Sequence, residues 1–272
     1  LPAIGGAAIV AAVGERSSYP PGTFSWADLA TTDHAGAKRF YSGLFGWTAE
    51  DMPAGEDTVY SIARVDGKSV AAIAPQPAQQ AQAGVPPMWQ SYVTVESADA
   101  SAARAAELGA SVHAHPFDVL EAGRMAVIQD PQGAYFMLWE PKLMIGAQLV
   151  NGPGLLSWNE LATPDVDGSI AFYGSLLGWK VEPFPDSPMP YWTIQTAAGR
   201  GNGGIRQPQP GEPANWGVYF GSPDVEASLA RAAELGGERI AGPMPIGPGM
   251  TMGVIRDPQG AVLLLYNGPF ED

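Results

Sequence analysis

The chain carries the same four landmarks twice, in the same order. Phe24-Ser-Trp-Ala-Asp-Leu-Ala-Thr-Thr-Asp33 returns as Leu156-Ser-Trp-Asn-Glu-Leu-Ala-Thr-Pro-Asp165, and Phe40-Tyr-Ser-Gly-Leu-Phe-Gly-Trp47 returns as Phe172-Tyr-Gly-Ser-Leu-Leu-Gly-Trp179. Ala103-Arg-Ala-Ala-Glu-Leu-Gly109 returns as Ala230-Arg-Ala-Ala-Glu-Leu-Gly236, and Asp130-Pro-Gln-Gly133 returns as Asp257-Pro-Gln-Gly260. The first two pairs are offset by 132 residues and the last two by 127. So small a drift over four landmarks marks a tandem duplication. The 272 residues therefore divide into an arm and linker at 1–22, a first unit at 23–141, a linker at 142–154 and a second unit at 155–268.

With 46% hydrophobic and 15% charged residues, each unit can bury its own core. A net charge of −14 argues against nucleic acid, which needs clustered Lys and Arg. No stretch approaches the roughly 20 apolar residues of a membrane span, so neither nucleic acid nor membrane is an expected partner. The absence of cysteine removes disulfides, thiolate metal sites and a Cys nucleophile, and is compatible with the expected cytoplasmic location. Leu1–Val13 reads as a tail or a strand-like arm, with a trimmed signal remnant as the alternative.

Phe24–Leu29 alternates like a strand, and Asp33 is placed to cap a helix that runs to about Leu44 and stops at Gly46. Tyr60–Val65 and Ser69–Ile73 read as strands around an Asp66-Gly67 hairpin turn. Pro75–Pro87 reads as a loop. The pattern then restarts, with a strand at Trp89–Val95, a helix at Ala98–Leu108, and a hairpin of Met125–Ile128 and Tyr135–Trp139. The second unit follows suit: strand Leu156–Leu161, helix Asp165–Leu177, strand Tyr191–Thr196 and a Gly-rich strand near Gly203–Arg206. Trp216–Phe220 is its next strand, followed by a helix to Leu235. Pro243–Gly249 reads as a loop, and Met252–Ile255 with Ala261–Tyr266 closes the unit as a hairpin.

A strand, then Asp and a helix with Phe-Tyr-x-x-Leu-(Phe/Leu)-Gly-Trp, then a distal Asp-Pro-x-Gly turn, resembles the vicinal oxygen chelate superfamily. That group contains the glyoxalases, bleomycin resistance proteins and extradiol dioxygenases. The chain is similar to tandem glyoxalase-like actinobacterial proteins often labelled hydroxylases. The resemblance implies an α+β fold of four βαβββ modules, forming two cup-shaped mixed sheets with helices packed outside. Whether a cup forms within a copy or between copies stays open.

In metal-dependent members the resemblance implies His, Gln or Glu ligands on the first and last strands of the modules. Here the first-strand positions hold Trp26 and Trp158, and indole N–H is donor-only. The last strands of the first modules, Lys68–Ala74 and Gly201–Arg206, contain no carboxylate or histidine. The remaining positions hold Gln90, Gly217, Met137 and Leu264. One possible ligand cannot make a divalent site, which needs three or four donors. No metal and no cofactor are expected.

Strand alternation sends Asp28 and Glu160 to the same side as Trp26 and Trp158. Trp89, Gln90, Tyr92, Met125, Met137 and Trp139 are expected to add to the first cup. Trp216, Tyr219, Met250, Met252, Leu264 and Tyr266 are expected to add to the second, which reads as the cup more prone to collapse. Such linings suit a small aromatic or apolar organic ligand, although the same side chains can simply fill a core. Arg124 is a candidate for holding an anionic ligand group. Asp28 and Glu160 are acid–base candidates if desolvated, or structural if paired to an Arg. His34 reads as exposed, and His113 and His115 as a polar strand face rather than a metal pair. No nucleotide fingerprint or nucleophile elbow is present.

Three functions fit this reading. The first is a metal-free binding protein that sequesters an antibiotic or secondary metabolite. The second is an enzyme of secondary or aldehyde metabolism using Asp28 or Glu160, and the third a regulatory protein on the same scaffold. A monomer or a homodimer would serve.

Overall fold

The computed structural model describes residues 14–54 and 58–269. Leu1–Val13, read above as a tail or arm, lies outside the described residues. A two-residue strand β1 (Gly14–Glu15) leads into the first copy: β2 (Phe24–Thr31), α1 (His34–Phe45), β3 (Thr48–Pro53), β4 (Val59–Val65), β5 (Lys68–Pro75), a short α2 (Ala78–Gln82), β6 (Met88–Thr94), α3 (Ala98–Glu107), β7 (Ser111–Val119), β8 (Gly123–Gln129) and β9 (Tyr135–Pro141). After β10 (Leu149–Val150) the second copy runs β11 (Leu156–Ala162), α4 (Val166–Leu177), β12 (Lys180–Pro183), β13 (Tyr191–Gln195), β14 (Gly201–Arg206), β15 (Asn215–Gly221), α5 (Val225–Glu234), β16 (Glu238–Gly247), β17 (Met250–Arg256) and β18 (Val262–Asn267).

Each copy forms one eight-stranded mixed sheet, ordered β3-β4-β5-β2-β6-β9-β8-β7 and β12-β13-β14-β11-β15-β18-β17-β16. The first strands of the two modules pair antiparallel at the centre, β2 with β6 and β11 with β15. Each is flanked by its own module's last strand in parallel. The question left open by the sequence is thereby answered: a cup is built within one copy, by its two modules.

Local chemistry explains the elements. Asp33 and Asp165 cap α1 and α4 by accepting from the backbone N–H of Gly36 and Gly168, each at 2.9 Å. Gly46 and Gly178 end these helices in the left-handed region, at φ 73° and 70°. Asp66 and Gly67 both take positive φ, as a tight two-residue hairpin turn requires.

Three readings need correction. Pro75–Pro87 is not wholly a loop, because Ala78–Gln82 winds into α2. Most of Pro243–Gly249 belongs to the irregular edge strand β16, paired with β17 through repeated register shifts. His34 is half-buried, its Nε2 lying 2.9 Å from the Ser61 hydroxyl and 3.2 Å from the Ile73 carbonyl.

The repeated motifs meet across the copies. Tyr41 on α1 donates to Asp257 Oδ2 at 2.9 Å, and Tyr173 on α4 donates to Asp130 Oδ2 at 2.9 Å. Each aspartate opens an Asp-Pro-Gln-Gly turn and spends its other oxygen on that turn's backbone N–H groups. Trp89 donates to the Tyr41 hydroxyl at 3.0 Å and Trp216 to that of Tyr173 at 2.9 Å. Trp47 donates to the Gly154 carbonyl and Trp179 to that of Gly22, each reaching the other half of the chain. The tyrosine, the two tryptophans and the turn thus form one buried aromatic joint, present twice.

Candidate functional site

Both cups contain the same constellation. In the first, Trp26 Nε1 donates to the Tyr60 hydroxyl at 3.0 Å, Tyr60 donates to Asp28 Oδ2 at 3.0 Å, and Tyr92 donates to the same oxygen at 2.7 Å. In the second, Trp158 donates to the Tyr191 hydroxyl at 2.9 Å and Tyr219 donates to Glu160 Oε2 at 2.8 Å. The β2–β6 and β11–β15 registers put each tryptophan beside the second tyrosine, Trp26 opposite Tyr92 and Trp158 opposite Tyr219. Gly204 makes room for this arrangement, since a Cβ there would strike the Tyr191 ring and hydroxyl.

The carboxylates differ in what neutralises them. Glu160 accepts from Arg206 Nε at 2.6 Å, and Arg206 also holds Glu212 through both terminal nitrogens at 2.8 and 2.7 Å. In the first copy the Arg206 position is Ala74, as the pairings Ala162 with Arg206 and Ala30 with Ala74 show. Asp28 is thus buried with two phenols and no cation. Burial pushes its pKa up to about 6 against the lowering effect of the Tyr92 and Tyr60 hydrogen bonds. The tyrosines move the same way: burial, then the adjacent carboxylate, holds Tyr60, Tyr92, Tyr191 and Tyr219 well above the ordinary phenol range.

The two cups also differ in what fills them. In the first, Trp26, Asp28, Tyr92, Met137 and Trp139 are all buried, with Gln90, Tyr60 and Met125 half-buried beside them. The inter-copy linker closes one side. Ala147 N–H donates to the Ser25 carbonyl at 2.8 Å, Gln148 N–H to the Ser69 carbonyl at 2.7 Å, and Trp139 Nε1 to the Met144 carbonyl at 3.0 Å. In the second copy the positions equivalent to Ser25 and Ser69 are Ser157 and Gly201, and both line a cavity of about 480 Å³. The gap that the linker occupies in the first copy contributes to open space in the second. The expectation that the second cup is the collapsed one is therefore reversed.

That cavity is walled by Trp158, Tyr191, Tyr219, Tyr266, Phe184 and Met250 of the second sheet and its loops. Tyr19 and Pro20 of the arm, with Thr23 and Phe24 at the start of the first copy, supply the opposite wall. Among the residues expected to bind ligand, Trp158, Tyr219 and Tyr266 line it. Met252 touches the Tyr219 hydroxyl through its sulfur at 3.9 Å, and Leu264 is buried beside Tyr219 in register. Trp26, Gln90, Tyr92, Met137 and Trp139 belong to the filled first cup.

The structure places three of the expected residues elsewhere. Trp216, like Trp89, faces away from the cup and packs in the joint between copies, because it is one strand position out of phase with Tyr219. Arg124 points to the outer surface, where it grips Asp99 on α3 at 2.6 and 3.0 Å and the Pro116 carbonyl. Tyr60, Tyr191 and the arm residues were missed. The two tyrosines had a signal, because they recur within one residue of the 132-residue repeat spacing near the starts of the equivalent strands β4 and β13.

The donors at the family's metal positions do not fit a divalent ion. Trp26, Trp158, Met137, Leu264 and Gly217 offer no suitable lone pair, which leaves Gln90 as a single amide ligand, and Glu160 nearby is held by Arg206. Among the described residues no cluster of three His, Cys, Asp or Glu is positioned to hold a metal. His113 and His115 sit on the exposed face of β7, with His113 bonded to Gln129 and Tyr135.

A sheet of paired βαβββ modules with a ligand-sized cup defines a class of protein, and comparison with known families identifies it. Residues 23–138 match the glyoxalase/bleomycin resistance protein/dioxygenase superfamily and residues 159–265 a glyoxalase-like domain. The chain belongs to this superfamily. CFP32 of Mycobacterium tuberculosis, whose name is a provisional glyoxylase assignment, is 42% identical over 91% of this chain and 95% of its own length. The anthracycline biosynthesis protein DauV of a Streptomyces species is 35% identical over 89% of this chain and 92% of its own. The Mn(II)-bound glyoxalase from Novosphingobium aromaticivorans superposes with a TM-score of 0.64 at 18% identity, over 92% of this chain and 83% of that one. At that identity it speaks for the fold alone. No helix among the described residues is long and apolar enough to cross a membrane.

Proposed function

We propose that this protein binds a flat, multi-ring organic molecule in the cup of its second copy, without a metal. The observation that carries this reading is the cavity of about 480 Å³, lined by tyrosine, tryptophan, phenylalanine and methionine. A pocket of this size takes a ligand of three or four fused rings, and such side chains stack on one at little conformational cost. Similarity to a protein named for anthracycline biosynthesis supports a multi-ring ligand class. The cups lie within one chain, so a monomer would suffice, in the cytoplasm or elsewhere.

The arrangement favours binding over acid–base catalysis. Neither Asp28 nor Glu160 lines the cavity, and Glu160 is neutralised by Arg206. The test is titration with 9,10-anthraquinone, followed by quenching of tryptophan fluorescence. Saturable binding that survives a chelator and is abolished in Thr193→Trp, which fills the cavity from β13, is the expected result. Binding that requires added divalent metal, or that ignores Thr193→Trp, would refute it.

A further inference from the structure

The lining of the second cup is unlike the rest of the molecule in charge. The chain carries 28 acidic and 14 basic residues, yet among the described residues no Asp, Glu or Lys lines the cavity. Its charged lining residues are Arg16, half-buried just after β1, and Arg200, exposed at the turn between β13 and β14. Most cations of the chain are held in ion pairs, including Arg206 directly behind the cup. Arg16 and Arg200 form no ion pair among the described residues. The Arg16 guanidinium donates only to the neighbouring Glu15 carbonyl at 3.3 Å.

Two guanidinium groups with no counter-ion among the described residues, in a cavity otherwise lined by aromatic, aliphatic and uncharged polar residues, inside a strongly acidic protein, make a local positive site in a negative field. Arginine pairs with planar anions through two parallel N–H donors and also stacks on aromatic faces. Resting on the binding reading above, we infer that the ligand is an aromatic acid: a multi-ring molecule with a carboxylate, or an equally acidic enol or phenol, at its edge. The rings stack against Trp158, Tyr191 and Tyr266, and the anionic edge lies toward Arg16 and Arg200. The acidic surface outside selects against unselective anion binding, so entry depends on the rings as well as the charge.

A matched probe pair tests this, with tryptophan quenching at low and physiological salt. Anthraquinone-2-carboxylate should bind about tenfold more tightly than anthraquinone-2-carboxamide, a modest factor because exposed cations are screened by water and salt. Arg16→Gln and Arg200→Gln should each shrink that preference, and the double variant should erase it, with the carboxylate losing far more affinity than the carboxamide. Equal affinities for the two probes, or a preference that survives in the double variant, would overturn the acid inference alone. Failure of both probes to bind would instead bring down the binding reading on which it rests.

Discussion

Asp28 is the residue whose environment most sharply separates the two cups. Unfolded, its carboxyl titrates near 3.8, and in the cup near 6. Between those values the native state keeps a proton that the unfolded chain has released. Stability from this group is therefore complete below about pH 4 and is lost as pH rises through about 6. Two pKa units correspond to about 3 kcal/mol. Asp28→Asn should flatten this slope: in urea unfolding its stability advantage over the parent grows between pH 4.5 and 6.5 and then stays constant at about 1–3 kcal/mol. A constant difference across that range would show Asp28 titrating normally. Arg206→Met makes the opposite case. It strands Glu160, 7% exposed in its side chain, without a cation and should cost about 3–5 kcal/mol, most of it restored by adding Glu160→Gln. At this scale the strand alternation read from the sequence puts Asp28 and Glu160 on the same side as Trp26 and Trp158, the side on which the structure bonds each carboxylate to its tyrosines. It did not show that one carboxylate has an arginine and the other none, because that depends on a strand register three elements away. The Trp216 error was one of phase, since a single strand position decides between cup and joint.

Among the elements, the linker distinguishes the copies most. Its backbone at Ala147 and Gln148 adds to the first sheet where β2 and β5 splay, and the same splay in the second copy is cavity. Ala147→Pro removes the N–H that Ser25 accepts and should destabilise the protein by about 1–3 kcal/mol without changing ligand affinity. Loss of affinity equal to the loss of stability would place the linker's role in the second cup instead. The central strands and all four long helices were legible from caps, period and turn residues. The outer strands β3, β12 and β16 were less so. They are exposed, polar or proline-bearing, and pair along one edge only, so no hydrophobic alternation marks them.

In the whole molecule two of the duplicated motifs, the Phe-Tyr helix and the Asp-Pro-Gln-Gly turn, hold the halves together rather than build the cups. Tyr41 with Asp257 and Tyr173 with Asp130 tie each copy to the other's turn, and burial pushes both aspartates' pKa values up despite these bonds. Tyr41→Phe should cost about 1–3 kcal/mol and lower one shared unfolding transition, seen by calorimetry. Two resolved transitions would mean that the copies unfold separately. The duplication was the most legible feature of the sequence, and it fixed the family fold. It could not show which cup is open, because that depends on the unrepeated arm and linker. The most direct measurement is a crystal structure with anthraquinone-2-carboxylate, with metal content measured on the same protein. The account predicts one ligand per chain against Trp158, Tyr191 and Tyr266, with the first cup filled by its own side chains and no stoichiometric metal. Ligand in the first cup, or a divalent ion between the strands of either, would contradict it.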